Sequence, residues 1–145
     1  MKKQVFIADS ISATVLSLLL YTSVSKLLDY DSFKAVLSMS PLVKSFAGII
    51  AYLLPVLEIM VSLLLFIPST RKRGLEIAFG LITGFTIYLA GMILFAPDLP
   101  CNCGGVLKSL SWQQHILFNL LFILLSLLGI ILYNKHNKTI KQTPP

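Results

Sequence analysis

The sequence predicts an all-α integral membrane protein. We expect a four-helix bundle with both termini in the cytoplasm and a short interfacial helix between the first two spans. Three observations predict this. The chain is 56% hydrophobic and 12% charged over 145 residues, whereas soluble domains carry roughly 25% charged residues. Its apolar residues are gathered into four segments that each reach the ~20 residues a helix needs to cross a hydrocarbon core. Its lysines and arginines fall in short tracts between those segments, as membrane flanks do.

The spans are expected at about 5–28, 47–67, 75–95 and 112–133. No blocks of alternating polarity occur, so a membrane barrel is not predicted. No internal repeat is present, and one membrane domain over 1–134 is expected. The segment from 135 to 145, KHNKTIKQTPP, reads as a basic, solvated tail without fixed structure. The net charge of +6 belongs to the flanks and leaves no basic face for nucleic acid. The partner that composition does imply is the lipid bilayer.

Orientation follows from the cations. Lys2, Lys3, Arg71, Lys72, Arg73, Lys135, Lys138 and Lys141 would lie on one side, eight of the twelve. Lys26, Lys34, Lys44 and Lys108 would lie on the other, diluted by Asp29, Asp31 and Asp98. Positive flanks stay inside, which puts the connection between spans three and four on the extracytoplasmic side of a bacterial cytoplasmic membrane. A competing reading takes residues 1–25 as a cleaved secretory signal, but Ser10, Ser12, Thr14 and Ser17 make a poor apolar region for one.

Within the spans, polar residues suggest how the helices pack. Ser10, Thr14, Ser17, Tyr21 and Ser25 share one face of the first helix. Hydroxyls in lipid seek partners, so that face is expected to turn inward. Gly80 and Gly84 form a G-x-x-x-G pair that would let helix three approach a neighbour closely. His115, Asn119, Phe122 and Ser126 share a face of helix four. Between the first two spans, Phe33, Val36, Leu37 and Ser40 fall on one face of a short amphipathic helix ending near Ser40-Pro41.

Glu58 sits mid-span, three residues after Pro55. A carboxylate at that depth costs ~2.5–3.5 kcal/mol on insertion scales, so it should face the bundle interior. It serves there either as a structural hydrogen-bonding partner of hydroxyls such as Tyr21, or in handling protons or a polar headgroup. Pro55 frees a backbone carbonyl one turn earlier and is expected to bend the helix and open a small cavity.

The chain's two cysteines, Cys101 and Cys103, are separated by Asn102 in APDLPCNCGG. Their α-carbons can come within the 4.4–6.8 Å that a disulfide requires. So small a ring is strained, hence readily reduced and prone to exchange. Gly104 and Gly105 supply the backbone freedom that the turn needs. Three chemistries stay open: a redox pair exchanging with partner thiols, a copper or zinc site using both thiolates and His115, and a structural staple. A staple across one residue closes almost no loop and so stabilises little. His115 follows the pair closely and is a candidate proton acceptor for it. Trp112 reads as an interfacial anchor.

The pieces YTSVSKLLDYDSF, SPL, LLPVLEI, PCNCGG and SWQQHILFN occur in that order. With them the chain resembles the MauE/DoxX-like family of redox-associated membrane proteins over nearly its whole length. The resemblance maps that family's Cys-x-Cys onto Cys101 and Cys103 and its Pro-x-x-Glu onto Pro55 and Glu58. It implies a role in methylamine utilisation, in which disulfide formation or maturation of a periplasmic methylamine dehydrogenase subunit is assisted together with a thioredoxin-like extracytoplasmic partner. The expected function is therefore a relay of thiol–disulfide equivalents to extracytoplasmic protein thiols, with Cys101 and Cys103 exchanging and His115 assisting. No cofactor is demanded by the sequence. A quinone, held near Glu58, would supply an electron sink. The alternatives are a non-catalytic membrane scaffold that docks an extracytoplasmic partner, and a copper- or zinc-handling membrane protein. No familiar catalytic constellation is present, so enzyme activity beyond thiol exchange has no support.

Overall fold

The computed structural model describes residues 2–95 and 111–142. Among the described residues five helices run in order: α1 (Lys2–Leu28), α2 (Tyr30–Met39), α3 (Ala47–Phe66), α4 (Arg71–Phe95) and α5 (Trp112–Gln142), with a 3-10 turn at Lys44–Phe46. No strand occurs among the described residues. Four of the helices are long and apolar enough to cross a membrane, as the composition requires. The molecule is a multi-pass membrane bundle.

The long helices close a ring in which α1 packs on α3, α3 on α4, α4 on α5 and α5 on α1. Its core is apolar and mostly aliphatic: Val15 and Leu19 of α1, Leu65 of α3, Leu75 and Ile82 of α4, with Phe122 of α5. The outward faces carry Leu, Ile and Phe, such as Phe66, Leu94 and Leu124. In water such a surface would aggregate; in lipid it is the solvent-facing side.

The α3–α4 turn shows how local chemistry ends one span and starts the next. Pro68 cannot continue α3. The Thr70 hydroxyl donates to the Leu64 carbonyl at 2.7 Å, and the Arg71 Nε donates to the Leu65 carbonyl at 3.2 Å. Both carbonyls belong to the last turn of α3, whose acceptors lack intrahelical partners.

The expected interfacial helix is present as α2, with Phe33, Val36 and Leu37 buried. Phe33 and Leu37 pack with Ala47 and Ala51 of α3. Ser40 is fully buried, and its hydroxyl donates to Met92 Sδ at 3.1 Å, tying the end of α2 to the end of α4.

Three expectations differ from the structure. The hydroxyl face of α1 points outward: Ser10, Thr14, Ser17 and Tyr21 are exposed, and Ser25 is intermediate. Ser10, Thr14 and Ser17 instead donate to carbonyls four residues earlier in their own helix, each at 2.9 Å. A hydroxyl satisfied in this way needs no neighbouring helix. The face that does turn inward holds Ala8, Ile11, Ser12, Val15, Leu19 and Thr22.

Gly80 and Gly84 do not sit at a helix contact either, since a Cβ added at either would meet nothing within 4 Å. The close approaches use other glycines. A Cβ at Gly129 would lie 2.7 Å from Leu75 Cδ1, and one at Gly74 would lie 3.0 Å from the Leu65 backbone nitrogen. The third difference is length. The helix of the third span begins at Arg71, and α5 stays helical to Gln142, through most of the segment expected to lack structure. Once nucleated and held by its apolar half, a helix extends at little cost per residue. Helix α3 continues through Pro55, and Leu54 and Glu58 on either side of it line a small cavity.

Candidate functional site

Glu58 lies on the inward face of α3 and is 5% exposed, as its cost in lipid demands. Its partner is Lys26, near the end of α1. The two form an ion pair with Nζ 2.5 Å from Oε1, and their side chains are only 3% and 7% exposed. Tyr21, the partner expected from the sequence, is 42% exposed on the outer face of α1. Lys26 read as a flanking cation because a sequence does not reveal whether a lysine near a helix end points out to the interface or back into the bundle. The signal in the sequence is Glu58 itself, a mid-span acid that needs a partner in the bundle interior.

Aromatic rings surround the ammonium. Lys26 Nζ lies 5.6 Å from the ring centre of Phe85 and 5.9 Å from that of Phe33. At this range the ring quadrupole attracts a cation, more strongly where water is excluded. Phe85 also meets His115 edge to face, with centroids 5.9 Å apart.

A capping box places His115. The Ser111 backbone N–H donates to Gln114 Oε1 at 3.0 Å, and the Gln114 N–H donates to Ser111 Oγ at 3.3 Å. This reciprocal pair fixes the start of α5 and sets His115 in its first turns, 2% exposed. The S-W-Q-Q string carries this signal in the sequence. The predicted face of α5 is the inward one, since His115, Asn119, Phe122 and Ser126 are all buried.

Lys26, Glu58, His115 and Asn119 thus line one cavity of about 40 Å³, with Thr22 and Phe85. Asn119 Nδ2 and Glu58 Oε2 are buried with no hydrogen-bonding partner among the described residues. Buried polar atoms normally find one, so this pocket has capacity for a ligand or water. A second, larger hollow of about 290 Å³ adjoins it, lined by Phe33, Leu37, Gly80, Gly84 and Tyr88. Leu54, Leu81 and Phe85 form walls of both.

The other end of the bundle holds a different polar cluster. Arg71 Nη1 lies 2.9 Å from Asp9 Oδ1. The Tyr133 hydroxyl donates to the same oxygen at 2.5 Å. This clasp joins α1, α4 and α5.

Cys101 and Cys103 lie outside the described residues. Chain connectivity still ties them to the end of the bundle that holds His115, because their segment joins Phe95 of α4 to Ser111. Among the described residues, no group of three His, Cys, Asp or Glu side chains could hold a metal ion.

With four spans, a buried Glu58 and an inward-facing start to α5, the comparison with known families becomes informative. The family described as "Methylamine utilisation protein MauE" matches residues 4–132. This chain belongs to the MauE family. The match takes in most of each spanning helix and all the residues that line the polar pocket. No curated protein and no solved structure matches the chain.

Proposed function

We propose that this MauE-family protein relays thiol–disulfide equivalents across the extracytoplasmic face of a bacterial cytoplasmic membrane. Cys101 and Cys103 are the exchanging pair, and an extracytoplasmic thioredoxin-like protein is the natural partner class. The observation that carries this reading is the placement of His115. A buried imidazole stands in a polar pocket at the end of the bundle to which the two-cysteine segment is tethered. Oxidising a dithiol releases two protons and two electrons. An imidazole near the pair takes up a proton and favours the reactive thiolate.

In the exchange, a partner thiolate attacks one sulfur of the Cys101–Cys103 disulfide and a mixed disulfide forms. The second partner thiol resolves it. The partner leaves oxidised, and both cysteines return as thiols. The cation count favours the outward location of the pair. With Lys26 buried against Glu58, the flank on that side loses a cation and the positive bias toward the termini grows.

Alkylation trapping in membranes tests the relay. Cys101 and Cys103 should change redox state when a reduced thioredoxin-like partner is added, and Cys101→Ser or Cys103→Ser should abolish partner oxidation. If both serine variants oxidise the partner as well as wild type, the protein is a docking scaffold and the relay is wrong.

A further inference from the structure

The proposed relay leaves a question of balance. Each dithiol oxidised yields two electrons and two protons, and something must accept them. The two adjoining hollows suggest what does. The inner pocket, about 40 Å³, has room for a few polar atoms and no more. That excludes a phospholipid headgroup. Its single lysine is already neutralised by Glu58, so a phosphate or another anion would meet no free cation. The site favours a neutral group with oxygen atoms: among the described residues Asn119 Nδ2 is an unpartnered donor and Glu58 Oε2 an unpartnered acceptor for a hydroxyl.

The outer hollow suits the remainder of such a ligand. It is apolar and about 290 Å³ in volume. A dry cavity of ~150 Å³ already holds a benzene-sized ring, so this space takes a substituted ring and the start of a tail. Phe33, Phe85 and Tyr88 give it an aromatic lining. Gly80 and Gly84 leave the α4 side of the hollow open, because no side chain fills it.

We infer that the paired hollows bind a lipid-soluble quinone. One ring oxygen reaches past Phe85 to Asn119 and Lys26, and the ring and apolar tail lie over Gly80 and Gly84. This inference rests on the relay reading for its redox step. There, the Cys101 and Cys103 thiols give up two electrons and two protons, a disulfide forms between them, and the quinone is reduced to its quinol. The binding site itself stands on the geometry.

The test uses the full-length protein in phosphatidylcholine nanodiscs with decylubiquinone as the probe. Saturable binding is expected. Gly84→Leu should weaken it at least tenfold by filling the groove, since its Cβ enters open space. Asn119→Leu should weaken it by removing the donor. Cys101→Ser/Cys103→Ser should bind as wild type does. If that double variant and wild type bind the quinone but the cysteines never cycle, the site stands and the relay falls. If the cysteines cycle but decylubiquinone shows no saturable binding, the site falls and the relay stands. The inference is also overturned if Gly84→Leu binds as tightly as wild type, or if decylbenzene, which lacks the ring oxygens, competes equally well.

Discussion

Lys26 of α1 and Glu58 of α3, thirty-two residues apart in the chain, form an ion pair in the bundle interior with both side chains almost wholly buried. Neither is tolerable there without the other. Removing one partner of a buried pair leaves an uncompensated charge and typically costs about 3–5 kcal/mol, whereas replacing both with apolar groups is often neutral. Lys26→Met should therefore lower the midpoint of unfolding in mixed micelles sharply. Lys26→Met combined with Glu58→Leu should recover most of the loss. Additive losses in this double-mutant cycle would mean that the two residues do not act as a pair.

The glycines divide into two classes with opposite expected responses. Gly80 and Gly84 have open space where a Cβ would go. Alanine there keeps the fold and removes the conformational penalty of glycine in a helix, a gain of up to about 1 kcal/mol each. Gly74 faces the Leu65 backbone, and Gly129 is crowded by Leu75 and Ile11. Gly129→Val should cost about 1–3 kcal/mol by overpacking, and Gly74→Ala should also destabilise, since a backbone atom cannot easily move aside. Thermal unfolding of the four variants checks the ordering. A stabilised Gly129→Val would contradict the close approach of α5 to α1 and α4.

The contrast between these glycines also shows what the sequence could and could not reveal. Spans, the amphipathic α2 and the inward face of α5 were legible because each is a periodic pattern of many residues, and burial follows such patterns. Which glycine touches a neighbour is set by how helices from distant parts of the chain cross, and a G-x-x-x-G spacing carries no information about that. The hydroxyls of α1 misled for a different reason. Their own backbone satisfies Ser10, Thr14 and Ser17, so polarity did not mark the inner face. Glu58 was legible as an inward acid. Its partner was not, because pairing Lys26 with it requires knowing that α1 and α3 are neighbours.

The Asp9 clasp at the opposite end should matter less than the buried pair. Asp9 and Arg71 side chains are 38% and 25% exposed, and pairs this open are generally worth only about 0–1 kcal/mol. The Tyr133 hydroxyl adds a hydrogen bond to the carboxylate. Tyr133→Phe should cost about 0.5–1.5 kcal/mol, the usual net value of one such bond. Raised salt should weaken the Asp9–Arg71 contribution while leaving that of Lys26–Glu58 nearly unchanged, because screening acts on exposed charges. Unfolding of Asp9→Asn and wild type at low and high salt separates the two. Equal salt sensitivity of both pairs would contradict their different burial.

Ser111 carries the last prediction, because it links helix capping to chemistry. Its hydroxyl accepts from the Gln114 N–H, while Gln114 accepts from the Ser111 N–H. Loss of an N-cap hydroxyl costs about 0.5–2 kcal/mol, felt most in the first turn of the helix. His115 follows that box directly, so Ser111→Ala should loosen the imidazole before it unfolds the bundle. The expected result is a modest drop in unfolding midpoint together with faster hydrogen exchange confined to the first turn of α5. Ser111→Asp, which restores an N-cap acceptor, should recover both. If partner oxidation by Ser111→Ala falls and Ser111→Asp restores it, the position of His115 is coupled to the thiol chemistry of Cys101 and Cys103. If the cap weakens measurably while oxidation is unchanged, His115 has no part in the exchange and serves packing alone.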